Sequence, residues 1–395
     1  MKRLAALTAF ATIALLPPLS AFGEGVLAIN NPALNGTSGK VYVDLEAFAA
    51  NDQVAMSEYG GDWRGNYTPR NGVNLGLGVL RAESGIQWKG YRVGAILRAE
   101  GLLQANRDSS DLLQQFKTNV GYTTNRSYLL DAQIKAYEAD GAHWSKSFQL
   151  ESTGSWQTQW GIGMSYLRGR RITLSAVTGE AVAVNATDLG GSALHNNFDT
   201  LIKTLPMTAA GVDLASFNAP FGRQATFYGS GYSFDVGWEL RNPSSGASFQ
   251  VAVADLLGRI DWKDVPTNVS GYTTATKDFS VSGYGTIYPT LTRTSSYQSI
   301  KQTLDPKWFV ALNQPIGNFD VYGAASYTQG FWFTQLGVSR AISPNSRLKV
   351  DYDLRFGTVG LAFEHRRLHL SLRMDGLQID AAKGYGVVAS MNIPF

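Results

Sequence analysis

The chain ends in the stretch Tyr385-Gly386-Val387-Val388-Ala389-Ser390-Met391-Asn392-Ile393-Pro394-Phe395, and this stretch decides the fold prediction. Steps of two back from the last residue give a row of apolar side chains: Phe395, Ile393, Met391, Ala389, Val387 and Tyr385. The residues between them are mostly small or polar. The stretch therefore has the period of a β-strand with one apolar face, and an aromatic residue directed to that face is a rare ending for a soluble domain.

The same alternation fills the C-terminal third of the chain. Leu348, Val350, Tyr352 and Leu354 alternate with charged residues, and every charge lies on one parity. The segment from Leu368 to Met374 repeats the pattern. An antiparallel sandwich in water would give the same alternation, so the pattern alone does not exclude one. The terminal aromatic residue, the strand lengths and the N-terminal leader described below favour a transmembrane barrel.

Earlier strands divide their apolar and charged residues in the same way. Lys40 to Phe48, Tyr91 to Glu100 and Tyr232 to Arg241 each have one aliphatic or aromatic face. The row from Trp156 to Tyr166 has aromatic ends and an aliphatic middle, as interfacial girdles require. A barrel places the charged parity in the lumen. The predicted lumen-facing residues are Asp44, Glu46, Arg92, Arg98, Glu100, Asp235, Glu239, Asp351, Asp353, Arg373 and Asp375.

Other segments give weaker predictions. Asp140-Gly141 is a hairpin turn signal, and Ser109 to Phe116 has the composition of a short loop helix. Asn185 to Arg223 breaks the strand pattern, and the stretches 198–203 and 210–217 favour short helices or a folded loop. The register between Thr267 and Ser299 is not fixed by the sequence. We expect an all-β antiparallel barrel of about 14 strands (range 14–16), an even number.

The N-terminus has the pattern of a secretory signal peptide. Met1-Lys2-Arg3 precedes an apolar run from Leu4 to Leu16, and Ala21-Phe22-Gly23 supplies a cleavage site. A membrane-anchoring helix is the alternative, but the run is shorter than the ~20 residues that a span needs. We therefore expect a signal peptide at 1–23, an irregular segment at 24–39 and the barrel at 40–395.

Composition narrows the classes of partner and chemistry. The formal net charge is +3, which gives no basis for nucleic-acid binding, and the absence of cysteine excludes thiol chemistry and disulfides. His143, His195, His365 and His369 lack helical metal-ligand spacing. No serine lies in a Gly-x-Ser-x-Gly elbow. We expect no metal, no cofactor and no enzymatic activity.

Three features carry a family resemblance. Asn31-Pro32-Ala33 behind the leader is similar to the Asn-Pro-Ala near the start of FadL-like outer-membrane barrels, the long-chain fatty-acid transporters and their relatives. The blocks Gly229–Gly237 and Asp255–Trp262 resemble the strand–turn–strand of TraF-type and PorV-like members of that superfamily. The C-terminal stretch with Tyr385 and Phe395 resembles the signal that the barrel assembly machinery reads.

The resemblance implies a 14-stranded barrel in the outer membrane of a Gram-negative bacterium. It implies that the N-terminal segment, with Asn31, Pro32 and Ala33, folds into the lumen as a plug. The implied function is passive transport or binding of a small, hydrophobic solute. The alternative is a non-transporting barrel that acts as scaffold or partner in a surface-assembly, secretion or conjugation complex. The shortness of the segment 24–39 speaks against a transport cycle like that of the fatty-acid transporters.

Overall fold

A computed structural model describes residues 26–58, 63–150, 154–183, 185, 189–199, 208–209, 212–213, 229–279 and 285–395. The strands in chain order are β1 (Lys40–Asn51), β2 (Asn74–Trp88), β3 (Tyr91–Ala105), β4 (Ser127–Gln149), β5 (Gln157–Ala183), β6 (Leu189–Asp199), β7 (Thr208–Ala209), β8 (Val212–Asp213), β9 (Gly229–Arg241), β10 (Ser248–Ala254), β11 (Arg259–Phe279), β12 (Gly285–Thr303), β13 (Lys307–Ile316), β14 (Phe319–Thr328), β15 (Phe331–Ser343), β16 (Ser346–Asp353), β17 (Val359–His365), β18 (Leu368–Met374) and β19 (Gly384–Pro394). The predicted signal peptide lies outside the described residues.

Fourteen of these strands form a closed antiparallel barrel. The ring runs through β1 to β5, continues through β9, β10 and β13 to β19, and closes where β19 pairs with β1. The closing register extends from Lys40 opposite Pro394 to Ala50 opposite Gly384. Closure leaves the ring without an open edge, which a sheet in lipid requires. The prediction of an all-β barrel with about 14 strands is confirmed.

The two ends of the barrel differ. At the terminal end, where β1 begins and β19 stops, β2–β3, β15–β16 and β17–β18 are joined by tight turns. At the opposite, loop end, the connections from β1 to β2 and from β3 to β4 are much longer, whereas β14 and β15 are joined by Gln329-Gly330 alone. Outer-membrane barrels carry short turns on the periplasmic side and long loops outside the cell. The long connections of this barrel are likewise concentrated at one end.

Three strands extend the wall beyond the ring at the loop end. The second half of β5, from Thr173 to Ala183, pairs with β6. The start of β11 pairs with β9, its middle pairs with β6, and its length pairs with β12. A separate pair, β7 and β8, forms its own small sheet. The wall is therefore taller along β4, β5, β6, β11 and β12 than elsewhere.

Aromatic side chains on the outer surface form two bands. Near the terminal end, Trp88 contacts Tyr91 at 5.7 Å between ring centroids, and Phe148 stacks on Trp160 at 4.4 Å. Near the loop end, Tyr327 contacts Trp332 at 4.9 Å. Exposed aliphatic side chains such as those of β16 and β17 lie between the bands. This is the surface of a barrel that meets a bilayer at two interfaces.

One helix follows β3. Helix α1 spans Arg107–Thr118, as the loop-helix prediction anticipated. The Asn106 side chain caps it by accepting a hydrogen bond from the Ser109 N–H at 2.8 Å. Asn119 ends it in the left-handed conformation, where φ is 57°. Among the described residues, no helix is long and apolar enough to cross a membrane.

The hairpin turn predicted at Asp140-Gly141 is wrong. Strand β4 runs through both residues, and Asp140 pairs with Arg168 of β5. A Cβ at Gly141 would lie 1.9 Å from the Tyr166 carbonyl oxygen, so glycine serves close backbone approach there. The Asp140 carboxylate is held by Arg168 and Arg170. Cross-strand pairing outweighs the local turn propensity.

The break in the strand pattern predicted from Asn185 to Arg223 is wrong for the residues described there between 189 and 213, because all of them lie in strands. Leu189–Asp199 is strand β6, which pairs with both β5 and β11. The helix expected at 198–203 is therefore wrong at Phe198 and Asp199, and residues 200–203 lie outside the described residues. In the predicted helix at 210–217, the described residues Val212 and Asp213 form β8. The strand carries glycine, asparagine and histidine rather than an apolar row, so alternation did not reveal it.

Candidate functional site

The N-terminal segment Val26–Asn35, here called the lumenal segment, lies inside the barrel against β4, β5 and β9. Pro32–Leu34 forms one turn of 3-10 helix, and the Asn31 side chain caps it by accepting from the Ala33 N–H at 3.0 Å. The Asn31 amide also reaches the Trp238 carbonyl oxygen at 3.5 Å. The motif predicted as a plug is therefore buried on the lumenal face of the wall.

Two glycines in the wall make room for this turn. Gly161 of β5 and Gly237 of β9 are register partners. A Cβ at Gly237 would lie 1.9 Å from Asn31 Oδ1, and a Cβ at Gly161 would lie 2.3 Å from the Pro32 carbonyl carbon. Any side chain at either position would push the turn away from the wall. The motif that carries the family resemblance therefore packs directly against these two glycines.

Hydrogen bonds hold the segment at the terminal end as well. The Asn35 amide donates to Ser145 Oγ at 2.8 Å, and Ser147 Oγ donates to the Asn35 carbonyl oxygen at 2.7 Å. The Gln87 amide donates to the Gly36 carbonyl oxygen at 3.1 Å. These bonds fix the path from the lumen to the start of β1.

The beginning of the lumenal segment packs into an apolar cluster. Val26 and Leu27 are each 1% exposed, and they contact side chains of β1, β2, β3 and β15. The wall residues of this cluster are Phe48, Ala50, Leu75, Leu77, Val79, Leu102 and Phe333. The apolar row of β2 therefore faces the lumen, whereas those of β16 and β18 face outward. Alternation divides the residues of a strand between two faces, but it does not show which face contacts lipid.

A cavity of about 270 Å³ lies beside this cluster, on the loop-end side of the lumenal segment. Leucines from five parts of the chain form its apolar wall: Leu27, Leu77, Leu102, Leu174 and Leu304, with Val79 beside them. Its polar side includes Glu100, Lys135, Tyr137, Gln302, Asp305, Lys307 and Gln329. We call it the upper cavity.

Glu100 and Lys307 line the upper cavity, and behind them they contact two further buried charges, Arg98 and Asp255. Arg98 holds Asp255 with two hydrogen bonds of 2.9 and 2.6 Å, and Lys307 Nζ lies 2.5 Å from Asp255 and 2.6 Å from Glu100. Arg98 also contacts Glu100 at 2.6 Å. Two cations therefore balance two carboxylates. We call this group the four-charge cluster.

Two members of the four-charge cluster, Asp255 and Lys307, lie at strand ends. Asp255 follows β10 with a φ of 59°, and its N–H donates to Asp235 Oδ1 at 3.1 Å. Lys307 begins β13 after Pro306. Arg98 and Glu100 were predicted to face the lumen. Asp255 and Lys307 were not, because both lie at strand ends outside any alternating row.

A second cavity, of about 350 Å³, lies on the terminal-end side of the lumenal segment. Its lining is polar and charged: Asn30, Asn31, Asn35, Lys40, Asp44, Glu46, Arg81, Gln87, Arg92, Gln250, Glu364, His369, Ser390 and Asn392, with five apolar residues. The lumenal segment contributes to both cavities, so it lies between the apolar cluster and this lower cavity.

Glu83 organises the wall of the lower cavity. It accepts from Tyr42 at 2.6 Å and from Arg92 at 2.9 Å, and His143 Nδ1 lies 2.9 Å from it. Arg92 also pairs with Asp44 at 2.5 Å. Glu83 is 3% exposed, and it was not among the predicted lumen-facing residues.

The remaining predicted lumen-facing residues are distributed along the wall. Asp235 lies 4.0 Å from His143, and Glu239 is buried on the same face of β9. Asp351 pairs with Arg373 across β16 to β18. Asp353 accepts from the Phe356 N–H at 2.7 Å. Asp375 lies beyond the end of β18, where it accepts from the Lys383 and Gly384 N–H groups.

We also searched the described residues for a metal site. Across the part of the chain that the structure describes, no three histidine, aspartate or glutamate side chains converge in a way that could hold a metal ion. His365 and His369 lie on either side of the β17–β18 turn, and His365 Nδ1 contacts Ser346 at 2.7 Å.

Comparisons with known proteins give distant likeness only. No protein-family model matches the chain, and no curated protein sequence matches it at a significant level. Among solved structures, the "TodX monoaromatic hydrocarbon channel deltaS2 mutant" shares 11% identity over 96% of both chains with a TM-score of 0.46. The "Pseudomonas putida toluene transporter TodX" shares 9% identity over 96% of this chain and 95% of its own, with a TM-score of 0.44.

A third match has a similar extent. The "CymD monoaromatic hydrocarbon channel" shares 14% identity over 95% of this chain and 94% of its own, with a TM-score of 0.32. Identities and TM-scores this low assign no function. The fold that the FadL-like resemblance implied, a closed antiparallel barrel of 14 strands, is the fold that this chain has.

Proposed function

We propose that this protein is an outer-membrane barrel that binds small hydrophobic solutes in its upper cavity and passes them across the membrane. The observation that carries the proposal is the leucine-lined cavity beside Leu27, enclosed in a barrel whose outer surface has two aromatic bands. Ligand cavities in proteins are predominantly apolar with a few polar groups that fix orientation. The four-charge cluster and Gln302 supply such groups at one side.

The volume of the upper cavity limits the size of the solute that it can hold. A cavity of about 270 Å³ lies near the lower end of the range for small-molecule sites, roughly 300–1,000 Å³. It suits one compact molecule rather than an extended chain. Burial of apolar solute surface against the leucines supplies the binding free energy, at about 25 cal/mol per Å² removed from water.

Binding of 1-N-phenylnaphthylamine to the purified barrel in detergent tests the proposal. The probe becomes fluorescent in an apolar site. Leu27→Trp fills the upper cavity from the lumenal segment, so we expect its affinity to fall at least tenfold. Leu34→Trp is the matched control, because Leu34 belongs to the same segment but lines the lower cavity; we expect less than a twofold change.

Flux supplies the second readout. Liposomes containing the wild-type barrel should take up a small apolar solute faster than empty liposomes, and the Leu27→Trp barrel should lose this gain. Equal binding by wild type and Leu27→Trp would contradict the proposal. Absent binding together with a stoichiometric partner recovered from solubilised membranes would favour the scaffold role instead.

A further inference from the structure

A row of charged side chains crosses the outer surface of the barrel near the loop end. Asp140, Arg168, Ser230, Asp261 and Lys301 are successive register partners on β4, β5, β9, β11 and β12. Arg170 and Arg259 lie beside them on β5 and β11. With these two, the row has four basic side chains and two carboxylates, a net charge of +2. We call it the basic row.

The basic row lies outside the lumen. Arg168 and Arg170 side chains are 55% and 53% exposed, while the alternate residue Leu167 is buried. One register step towards the terminal end, Tyr166 and Tyr232 are exposed neighbours on the same surface. Below them come the exposed side chains of Met164 and Trp144. The outer surface thus changes from apolar to tyrosine to charged over a few residues.

The height of the row places it at the membrane interface. Along β5, Arg168 lies eight residues after Trp160, which belongs to the terminal-end aromatic band. At about 3.3 Å per residue and a strand tilt of about 40°, this separation spans roughly 20 Å along the barrel axis. The apolar band of such barrels is about 25 Å tall. The Arg168 backbone therefore lies within about 5 Å of the far edge of this band, and its long side chain extends the guanidinium group to the lipid headgroups.

The local ion pairs leave donors and charge for a ligand. Arg168 and Arg170 both bind Asp140, each through Nε and Nη2, at distances of 2.5 to 3.1 Å. A guanidinium has five N–H groups, so each arginine has three that Asp140 does not use. Two guanidiniums on one carboxylate carry a net charge of +1. Paired arginines with outward donors match the geometry of a phosphate group.

We propose that the basic row binds the phosphate of a phosphorylated lipid headgroup in the loop-end leaflet. Arg168 and Arg170 hold the phosphate oxygens, Asp140 keeps the two guanidiniums side by side, and the tyrosines below contact the start of the acyl chains. Lys301 adds attraction along the row, whereas Arg259 is paired with Asp261 through bonds of 2.6 and 2.7 Å. The surface is separate from the upper cavity's leucine wall, so this binding is independent of solute transport.

Native mass spectrometry of the detergent-solubilised barrel tests the proposal with three probes: phosphatidic acid, phosphatidylcholine and inorganic phosphate. We expect wild type to retain phosphatidic acid at least tenfold more tightly than phosphatidylcholine. The double variant R168Q/R170Q should lose this preference. R366Q/R367Q is the matched control, because these arginines lie exposed in the β17–β18 turn at the terminal end, and its preference should stay unchanged.

Asp140→Asn separates lipid binding from a purely structural role. It removes the carboxylate and leaves both guanidiniums positive, so we expect phosphatidic acid to bind as tightly as in wild type or more tightly. If Arg168 and Arg170 served only to pair with Asp140, all three variants would leave lipid retention unchanged, and the proposal would fail. Equal retention of both lipids by wild type would also overturn it, as would displacement of the lipid by millimolar inorganic phosphate. Heat-dependent gel mobility checks that each variant has a folded barrel.

Discussion

At the residue scale, the four-charge cluster shows how this barrel tolerates charge beside an apolar cavity. Arg98, Lys307, Glu100 and Asp255 compensate one another, so the wall of the upper cavity has no net charge from this group. Removing charges from water is costly, and each partner offsets part of the cost of the others. A single substitution in the cluster should therefore cost more than a single surface ion pair.

We expect Asp255→Asn to destabilise the barrel by about 3–5 kcal/mol, because Arg98 and Lys307 would share only Glu100. Urea unfolding in lipid vesicles, followed by tryptophan fluorescence, measures the change. Asp320→Asn is the control: its partner Arg347 is 41% exposed, and such pairs contribute about 0–1 kcal/mol. Equal effects of the two substitutions would show that the cluster does not act as a buried network.

The sequence predicted part of this site and missed the rest for a physical reason. Arg98 and Glu100 stand on the polar parity of a long alternating strand, so parity alone places them in the lumen. Asp255 lies in a bend, and Lys307 begins a strand after a proline. Neither position belongs to a run of alternating apolar and polar residues, so the pattern could not place its side chain. Tertiary closure of the wall, not local pattern, brings these two to Arg98.

At the element scale, the lumenal segment depends on the wall that it touches. Gly161 and Gly237 allow Asn31-Pro32-Ala33 to lie directly on β5 and β9. The motif could be recognised from the sequence by resemblance, but the two glycines could not, since each looks like an ordinary strand glycine. Only the pairing of β5 with β9 across an insertion brings them together.

Gly237→Ala should displace the lumenal segment while the barrel still closes. The chain has no cysteine, so Ala33→Cys gives a single reporter at a residue that is 0% exposed. We expect a water-soluble maleimide to modify Cys at this position at least tenfold faster in the Gly237→Ala background. Gly323→Ala is the control, because a Cβ there first meets Leu336 at 3.4 Å. Equal labelling rates in both backgrounds would refute the role given to Gly237.

Strand prediction succeeded and failed for related reasons. The rows of β16 to β19 could be recognised because their outward residues are uniformly apolar and their inward residues are polar or small, with Val388 as the exception. In β2 the inward residues Leu75, Leu77 and Val79 are also apolar, since they pack on the lumenal segment. Strand β6 has neither pattern. Where the lumen is filled by protein, the lipid–water alternation of an open barrel weakens.

At the scale of the whole molecule, closure by β1 and β19 is the organising contact. Phe395 extends it: its N–H donates to the Gly39 carbonyl oxygen at 3.2 Å, and its ring lies against Gly39. The side chain is 76% exposed on the finished barrel. Its contribution to the stability of the folded state is therefore small, which is consistent with a role during assembly.

Deletion of Phe395 should lower outer-membrane levels of the protein severalfold while leaving solute binding per folded barrel unchanged. Quantitative blotting of membrane fractions measures the first, and phenylnaphthylamine titration of the purified remainder measures the second. Ile393→Ala is the control, since it shortens a lipid-facing side chain of the same strand and keeps the terminal aromatic residue. Normal membrane levels of the truncated chain would show that Phe395 is not an assembly signal.

The most direct test of the account is to locate a solute inside the barrel. Crystals soaked with bromobenzene allow the bromine to be placed by anomalous scattering. We predict a peak in the upper cavity, in contact with Leu27 and Leu102, that disappears in Leu27→Trp. A peak confined to the outer wall or to the lower cavity, with the upper cavity empty, would contradict the proposal that this barrel binds hydrophobic solutes in its lumen.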